Sequence, residues 1–345
     1  HGYCGGISGI KAVLPVDNAS IGRSGWARPN TLALGRDLMW PFRLNSRGEN
    51  AWTSVVFDSQ MVHVARVGQT PGANPVLKAW DSYPREGGDL DVLRRLRGAR
   101  RLGAGPCTLL LPQGQYQLQQ IDAPEVPAAE LRDAIRWKIK DAVDFPVEDA
   151  GIDCLPPVAG GRPNQIYTVA ASRAILQSWI RLFQDARISL DAIDVPELAQ
   201  RNIAALFEDA NRGLGLLAFD GSGGRLTFTC GGELYFARNI DAPPGEIGSE
   251  AASDLRERVL LDVQRTLDNV DRSYSGIPIT RLLVSPPPGS ANFVDYLREN
   301  LYQPVEVLDL RQCIDLNGFP VLANPVAQSR ALPAVQTVDK LRTSD

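Results

Sequence analysis

Histidine is nearly missing from this chain. Only His1 and His63 occur among its 345 residues, so imidazole-based triads and histidine metal sites are close to excluded. Without a histidine partner, neither Ser172 nor Ser285 can be activated as a hydrolase nucleophile. Cysteine is sparse as well. Cys4, Cys107, Cys154, Cys230 and Cys313 are odd in number, widely scattered and never in a Cys-x-x-Cys pair. They read as reduced core thiols of a cytosolic protein, not as a disulfide framework or a zinc site. There is no surplus of positive charge: 36 Lys and Arg stand against 40 Asp and Glu, a net of −4. A nucleic-acid partner needs a basic face and is not expected. Nor does any apolar run approach the roughly 20 residues that cross a bilayer.

What is present is ordinary globular chemistry, 44% hydrophobic and 22% charged, in a chain long enough for two lobes. Residues 1–38 are rich in Gly, Ser, Pro and Arg without periodicity, and are expected to be disordered or an over-extended segment ahead of a start at Met39. Strands are expected at Trp52–Phe57, Met61–Val67 and Val76–Ser82, then an amphipathic helix at Asp89–Arg101 with a basic outer face. Cys107–Leu111 is a buried strand and Tyr116–Ile121 its return. A helix over Ala128–Val143 carries Leu131, Ile135, Ile139 and Val143 four apart, and Phe145-Pro146 ends it. Strand Ile166–Ala171, a helix striped by Leu176, Trp179 and Phe183, and strand Leu190–Val195 form a unit that reads as a parallel pair with a crossover. Another helix runs from Pro196 to Asp209.

The second half opens on Leu214–Asn239, three short apolar runs joined by two glycine turns. Leu226, Phe228 and Cys230 alternate with Thr227 and Thr229, the period of a strand with one buried face. A strand ending in Asp220, the turn Gly221-Ser222-Gly223-Gly224 and a returning strand are the layout of a phosphate-binding hairpin, in which turn N–H groups face the phosphates. The same pattern also suits a plain meander whose glycines only permit positive φ. A long helix striped by Leu255, Val259, Val263, Leu267 and Val270 follows, then strand Arg281–Ser285, helix Phe293–Leu301 and strand Val305–Leu310. From Asn317 the chain reads as irregular, with residues 331–345 as a polar tail. Each half thus opens with strands and then alternates helix and strand, an α/β pattern given twice.

Several segments carry a family resemblance. GQYQLQQIDAPEVPAAELRDAIRWKIKDAVDFPVEDAGI within Gln113–Ile152 resembles the charged helix ending in Phe-Pro of PilM-type pilus-assembly proteins. IYTVAASRAILQSWIRLFQDARISLDAIDVPELAQRNIAAL (Ile166–Leu206) resembles the strand–helix–strand–helix that follows there. The hairpin Leu214–Asn239 and the helix DVQRTLDNVDRSYS match in order and spacing, and the chain is most similar to the MshI-type agglutinin-pilus branch. The resemblance spans Met39 to Leu310 and implies an α/β, two-lobed actin-like (ribonuclease H-like) fold with a small inserted α+β subdomain in the first lobe. The expected divisions are 39–209 for the first lobe, about 112–157 for the insertion, 210–330 for the second lobe and 331–345 for the tail.

The resemblance further implies a cytoplasmic protein, peripheral to the inner membrane through its partner. That partner is the cytoplasmic N-terminal tail of a PilN-like inner-membrane pilus protein, with a pilus ATPase as a second candidate. Some relatives hold ATP between the lobes, so the cofactor expectation is either none or ATP with Mg. Asp58 and Ser59 match the family's first phosphate loop, but Gln60-Met61 is bulky where relatives are small. Asp220, Gly221, Ser222, Gly223 and Gly224 match the second. In the adenosine-side loop Pro286, Pro287 and Pro288 remove three N–H donors. A Gly223→Val change is expected to abolish any residual phosphate site with the fold intact. For the partner, the candidates are Tyr116, Arg136, Trp137 and Lys138, an aromatic flanked by cations in the inserted subdomain. The alternative for Trp137 is a packing role. The chain therefore reads as a non-catalytic scaffold, with an ATP-dependent switch or ATPase of the same fold as the alternative.

Overall fold

A computed structural model describes residues 51–68, 73–100, 105–127, 130–155, 158, 165–242, 246–249, 252–287, 290–316 and 318–335. The expectations for residues 1–38 and for a start at Met39 lie outside them. In chain order β1 (Ala51–Phe57), β2 (Met61–Gly68) and β3 (Val76–Pro84) form an antiparallel meander, followed by α1 (Asp89–Arg100) and β4 (Cys107–Leu110). Next come β5 (Gln117–Asp122), α2 (Leu131–Ile139), β6 (Ala150–Cys154) and β7 (Gln165–Ser172). The chain returns through α3 (Arg173–Asp185), β8 (Ala192–Asp194) and α4 (Pro196–Ala204). It then builds β9 (Gly213–Asp220), β10 (Gly223–Cys230), β11 (Glu233–Ile240), α5 (Ser253–Ser273), β12 (Ile279–Ser285), α6 (Ala291–Asn300) and β13 (Val305–Val307), and closes with α7 (Pro325–Val335).

Two five-stranded sheets have the same topology, β3-β2-β1-β4-β8 and β11-β10-β9-β12-β13. In each, the first three strands are antiparallel and the last two run parallel to the central one. The central strands β1, β4 and β9 are buried nearly throughout, and β12 over Leu282–Ser285, and they are correspondingly apolar, as strands covered on both faces must be. One core joins the first sheet to α1 and α3, with Phe57 and Trp179 rings 4.8 Å apart. A second joins the other large sheet to α5 and α6.

The strand before α3 departs from expectation. β7 does not pair with β8; it is the middle strand of an antiparallel sheet β5-β7-β6. β8 is only three residues long and pairs parallel with β4. The unforeseen β6, in AGIDC, supplies the second neighbour that gives β7 its fully paired position. α2 covers this small sheet through Ile135 and Ile139, both fully buried, over Ala150, Ile152, Ile166 and Ala170. It ends at Ile139, four residues earlier than the stripe suggests; Val143 still packs on that core from the following turn.

The C-terminal segment is the largest correction. Residues 331–335 are not tail but the last part of α7, in which Gln328, Ser329, Ala331, Leu332, Ala334 and Val335 are buried. A third core gathers Ala331, Leu332, Ala334 and Val335 with Ala65 and Val67 of β2, Leu77 of β3, Ile203 and Ala204 of α4, Leu216 and Ala218 of β9 and Leu283 of β12. Small residues let the helix approach both sheets, which explains its weak stripe: it is apolar around most of its circumference. Ser54 at the heart of the first sheet donates to the Ala334 carbonyl.

Candidate functional site

The cleft between the large sheets forms where β1 and β9, the two central strands, end. Each ends in an aspartate followed by a turn, and the turns meet: a Cβ placed on Gly221 would lie 3.3 Å from the Asp58 Cβ. The cavity there measures about 200 Å³ and runs past Phe57, Asp58, His63, Pro112, Asp220, Ser222, Arg225 and Pro287. α7 closes one side with Ser329, Arg330 and Pro333.

Asp58 is engaged locally through both carboxylate oxygens. Its Oδ1 accepts the N–H groups of Gln60 at 2.7 Å and Met61 at 2.5 Å, and its Oδ2 lies 2.9 Å from His63 Nε2. His63 Nδ1 meets Ser82 Oγ at 2.7 Å, and Arg85 donates to the Asp58 carbonyl at 2.5 Å. Burial alone would push the Asp58 carboxyl up, but the bonds from His63, Gln60 and Met61 outweigh it and hold it below the usual carboxylate value. Ser59 stands exposed at the turn.

Across the cleft, Asp220 Oδ1 accepts Ser222 N–H at 2.8 Å, and its Oδ2 accepts Arg225 Nη2 at 2.9 Å. Arg225 is 4% exposed. Its Nε is 3.9 Å from Glu197 Oε1, while Glu197 Oε2 accepts the Tyr116 hydroxyl at 2.7 Å. Burial opposes the Arg225 charge, but Asp220 and Glu197 outweigh it and hold the guanidinium protonated. Burial, and then the Glu197 charge, push the Tyr116 phenol well up. A Tyr–Glu–Arg–Asp chain thus crosses the cleft from the first half of the sequence to the second.

The glycine turn is narrower than expected. Gly221 and Ser222 alone form it; Gly223 pairs with Asp220 and Gly224 with Phe219, both inside β10. At Gly223 φ is +133°, and a Cβ would meet the Ile240 carbonyl at 2.9 Å; at Gly224 it would meet the Phe219 ring at 2.9 Å. These two glycines serve the close packing of β9, β10 and β11. Gly223→Val would strain the hairpin itself and is not the clean test expected from the sequence. In this cleft the turn amides of Gln60, Met61 and Ser222 are taken by Asp58 and Asp220, and both carboxylates hold side-chain partners. The loop after β12 adds little, since Pro286 and Pro287 offer no N–H. Among the described residues no group of three or more His, Cys, Asp or Glu side chains could hold a metal ion.

Of the four partner candidates, Arg136, Trp137 and Lys138 are consecutive on α2 and Tyr116 stands apart from them. Tyr116 is 8% exposed and belongs to the cleft chain, because its hydroxyl needs Glu197. Trp137 is 67% exposed on the outer side of α2, so the packing alternative does not hold. Beside it Arg136 pairs with Asp133 at 2.8 Å and Lys138 donates to the Asp122 carbonyl at 2.8 Å.

A second cavity, about 320 Å³, opens where the edge strands β5 and β11 approach. Tyr116–Gln119 line one side, Ala237–Asn239 the other, and Gln113, Gly114 and Glu197 the end. At one end of this approach, Gln120 Nε2 and the Tyr167 and Tyr274 hydroxyls all donate to the Tyr235 carbonyl, at 3.3, 3.3 and 2.8 Å. The Gln119 side-chain amide nitrogen is buried without a hydrogen-bond partner among the described residues. Sequence reasoning missed this groove, His63, and the pairing of Arg225 with Glu197. An arginine among the apolar residues of GGRLTFTC was the one signal for the last.

No protein-family model and no curated protein matches the chain. Among solved structures, the PilM-PilN type IV pilus biogenesis complex aligns with a TM-score of 0.63 at 16% identity, over 83% of this chain and 98% of that one. The fold is that of PilM. With its repeated pair of five-stranded sheets it is an actin-like α/β fold. The cytoplasmic domain of EpsL, an inner-membrane component of the Vibrio cholerae type II secretion system, aligns with a TM-score of 0.44 at 10% identity, over 69% and 82% of the two chains. A Bacteroides thetaiotaomicron protein with an actin-like ATPase fold aligns at 0.46 and 7%, over 80% and 96%. No helix among the described residues is long and apolar enough to cross a membrane.

Proposed function

We propose that this protein is a non-catalytic scaffold of a type IV, MSHA-like pilus machine, held at the inner membrane by a PilN-like partner whose cytoplasmic tail it binds. Its working parts are two lobes, one on each large sheet, with the β5-β7-β6 sheet and α2 as the insertion in the first. The observation that carries this reading is the groove between β5 and β11 in a chain with the fold of PilM. An extended tail gains main-chain hydrogen bonds from an unpaired strand edge, and here two such edges flank one cavity lined by Gln117, Gln119 and Asn239. The reading includes loss of nucleotide binding, supported by the engaged turn amides and carboxylates of the cleft.

Calorimetric titration with the synthetic cytoplasmic tail of the membrane protein encoded beside this chain tests the proposal. Gln119→Arg and Asn239→Arg, which fill the groove, are expected to weaken binding at least about tenfold, some 1.4 kcal/mol, with unchanged melting. A tail that binds both variants as tightly as the parent chain places the docking site elsewhere. No binding to the parent chain removes the tail from the proposal.

A further inference from the structure

The basic outer face of α1 is used by neither the groove nor the cleft. α1 buries Val92, Leu93 and Leu96 and turns Arg94, Arg95 and Arg97 outward. α3 packs beside it over the first sheet and buries Leu176, Trp179 and Phe183 in the same core. Arg173 and Arg181 are exposed along α3, and Arg187 just past its end. α1 and residues 173–187 together hold seven arginines against three aspartates, a net of +4 in a chain whose total is −4. Two of those aspartates are already engaged, Asp89 by Arg85 at 2.9 Å and Asp91 more loosely by Arg94 at 3.7 Å. Arg97, Arg173, Arg181 and Arg187 have no partner among the described residues.

This arginine face adjoins the groove. Gln117 of β5 stands opposite Ala170 of β7, and α3 starts three residues further on, at Arg173. Gln115, in the turn that leads into β5, accepts the Trp179 indole N–H at 2.7 Å. The other end of the groove is bridged by Gln120 and the Tyr235 carbonyl, which leaves the end beside α3 open. Resting on the reading of the groove as the seat of an inner-membrane protein's tail, we propose that the α1–α3 face lies against the anionic headgroups of that membrane. A tail leaving the groove past Gln117 runs beside α3 toward the bilayer, and so brings these arginines within reach of lipid phosphates. Guanidinium groups hold phosphates with paired N–H donors, and each cation near an anionic leaflet adds to the attraction. An acidic protein would also suit the arginines, but the tail itself delivers the bilayer. The inserted subdomain, with nine acidic and four basic residues between Asp122 and Asp153, is repelled by the same leaflet, which restricts how the chain can lie on it. Tail and arginine face are then two weak attachments that reinforce each other through local concentration.

Flotation of the full chain with vesicles, in the absence of any tail, tests this. Vesicles of equal parts phosphatidylglycerol and phosphatidylcholine are expected to carry the chain at low ionic strength, and vesicles of phosphatidylcholine alone are not. Binding should be lost near 1 M salt, where the screening length falls to about 3 Å. Arg97→Glu with Arg181→Glu should lower the partition coefficient at least about tenfold, with unchanged melting. Arg258→Glu with Arg265→Glu makes the same charge change at exposed, unpartnered arginines of α5 in the other half of the chain, and should lower it less than about twofold. In calorimetry the Arg97 and Arg181 variant should bind the tail peptide as the parent chain does. Vesicle binding can thus fail while the tail still binds, and the tail can fail while vesicles still bind. Three results overturn the proposal. They are a parent chain that ignores phosphatidylglycerol at low salt, which leaves the face to an acidic protein, binding that survives the change at Arg97 and Arg181, and binding that falls equally with the change on α5.

Discussion

Arg225 shows what a single side chain decides here. It is buried, and its charge is balanced by Asp220 and, more distantly, Glu197. Removing it leaves two carboxylates in the cleft without their cation. Arg225→Met is therefore expected to cost about 3–5 kcal/mol in denaturant unfolding, and a further Glu197→Gln change should recover part of the loss. Asp58 gives a pH signature. Its folded-state pKa lies below the unfolded value of about 3.9, so the stability it contributes is complete above that value and fades as pH falls through the lower folded value. The melting-temperature gap between the parent chain and Asp58→Asn should be constant near neutrality and close only below about pH 4. The two turn acids were legible in the sequence, because Asp caps turns through its own side chain. Their partners were not, since His63, Arg225 and Glu197 are contributed by three different elements and no local pattern links them.

At the scale of elements, α2 separates what a stripe reveals from what it leaves open. Periodicity placed Ile135 and Ile139 inward, and both are fully buried. Trp137, off the stripe, could be read either way until its exposure was seen. Ile135→Ala should cost about 2–5 kcal/mol, whereas Trp137→Ala should stay within about 0.5 kcal/mol in the same chemical denaturation. α7 was illegible for the opposite reason, since a helix buried on most sides has no polar face to set a period. Its fastening is Gln328, which accepts from Leu310 N–H at 2.7 Å and donates to the Leu322 carbonyl and Asp309. Gln328→Ala leaves buried backbone groups unpaired and should cost about 2–4 kcal/mol, with faster amide exchange in α7 as the check. β7 misled because a strand–helix–strand order favours parallel pairing only when both strands share a sheet.

For the whole molecule, the fold class was readable from two rounds of strands followed by alternating helix and strand. The cleft was not, because it depends on how closely two distant turns approach. Gly221 lies against Asp58, and the carboxylates of Asp58 and Asp220 are engaged by the protein's own His63 and Arg225. Saturating MgATP is expected to leave the melting temperature unchanged, although a ligand at 100 times its Kd would add about 2.7 kcal/mol. A rise in melting temperature, or retention of labelled ATP in equilibrium dialysis, would show that the cleft opens for nucleotide.

The seating of α7 also has a bearing on biosynthesis. Ser54 and Ala334 are hydrogen-bonded across 280 positions, and ribosomes add roughly 5–20 residues per second. The strands β1 to β3 thus emerge roughly 10–50 seconds before the helix that covers one of their faces. During that interval β2 and β3 present bare apolar surface to the cell, and a nascent chain halted before residue 325 should be a preferred client of ribosome-associated chaperones.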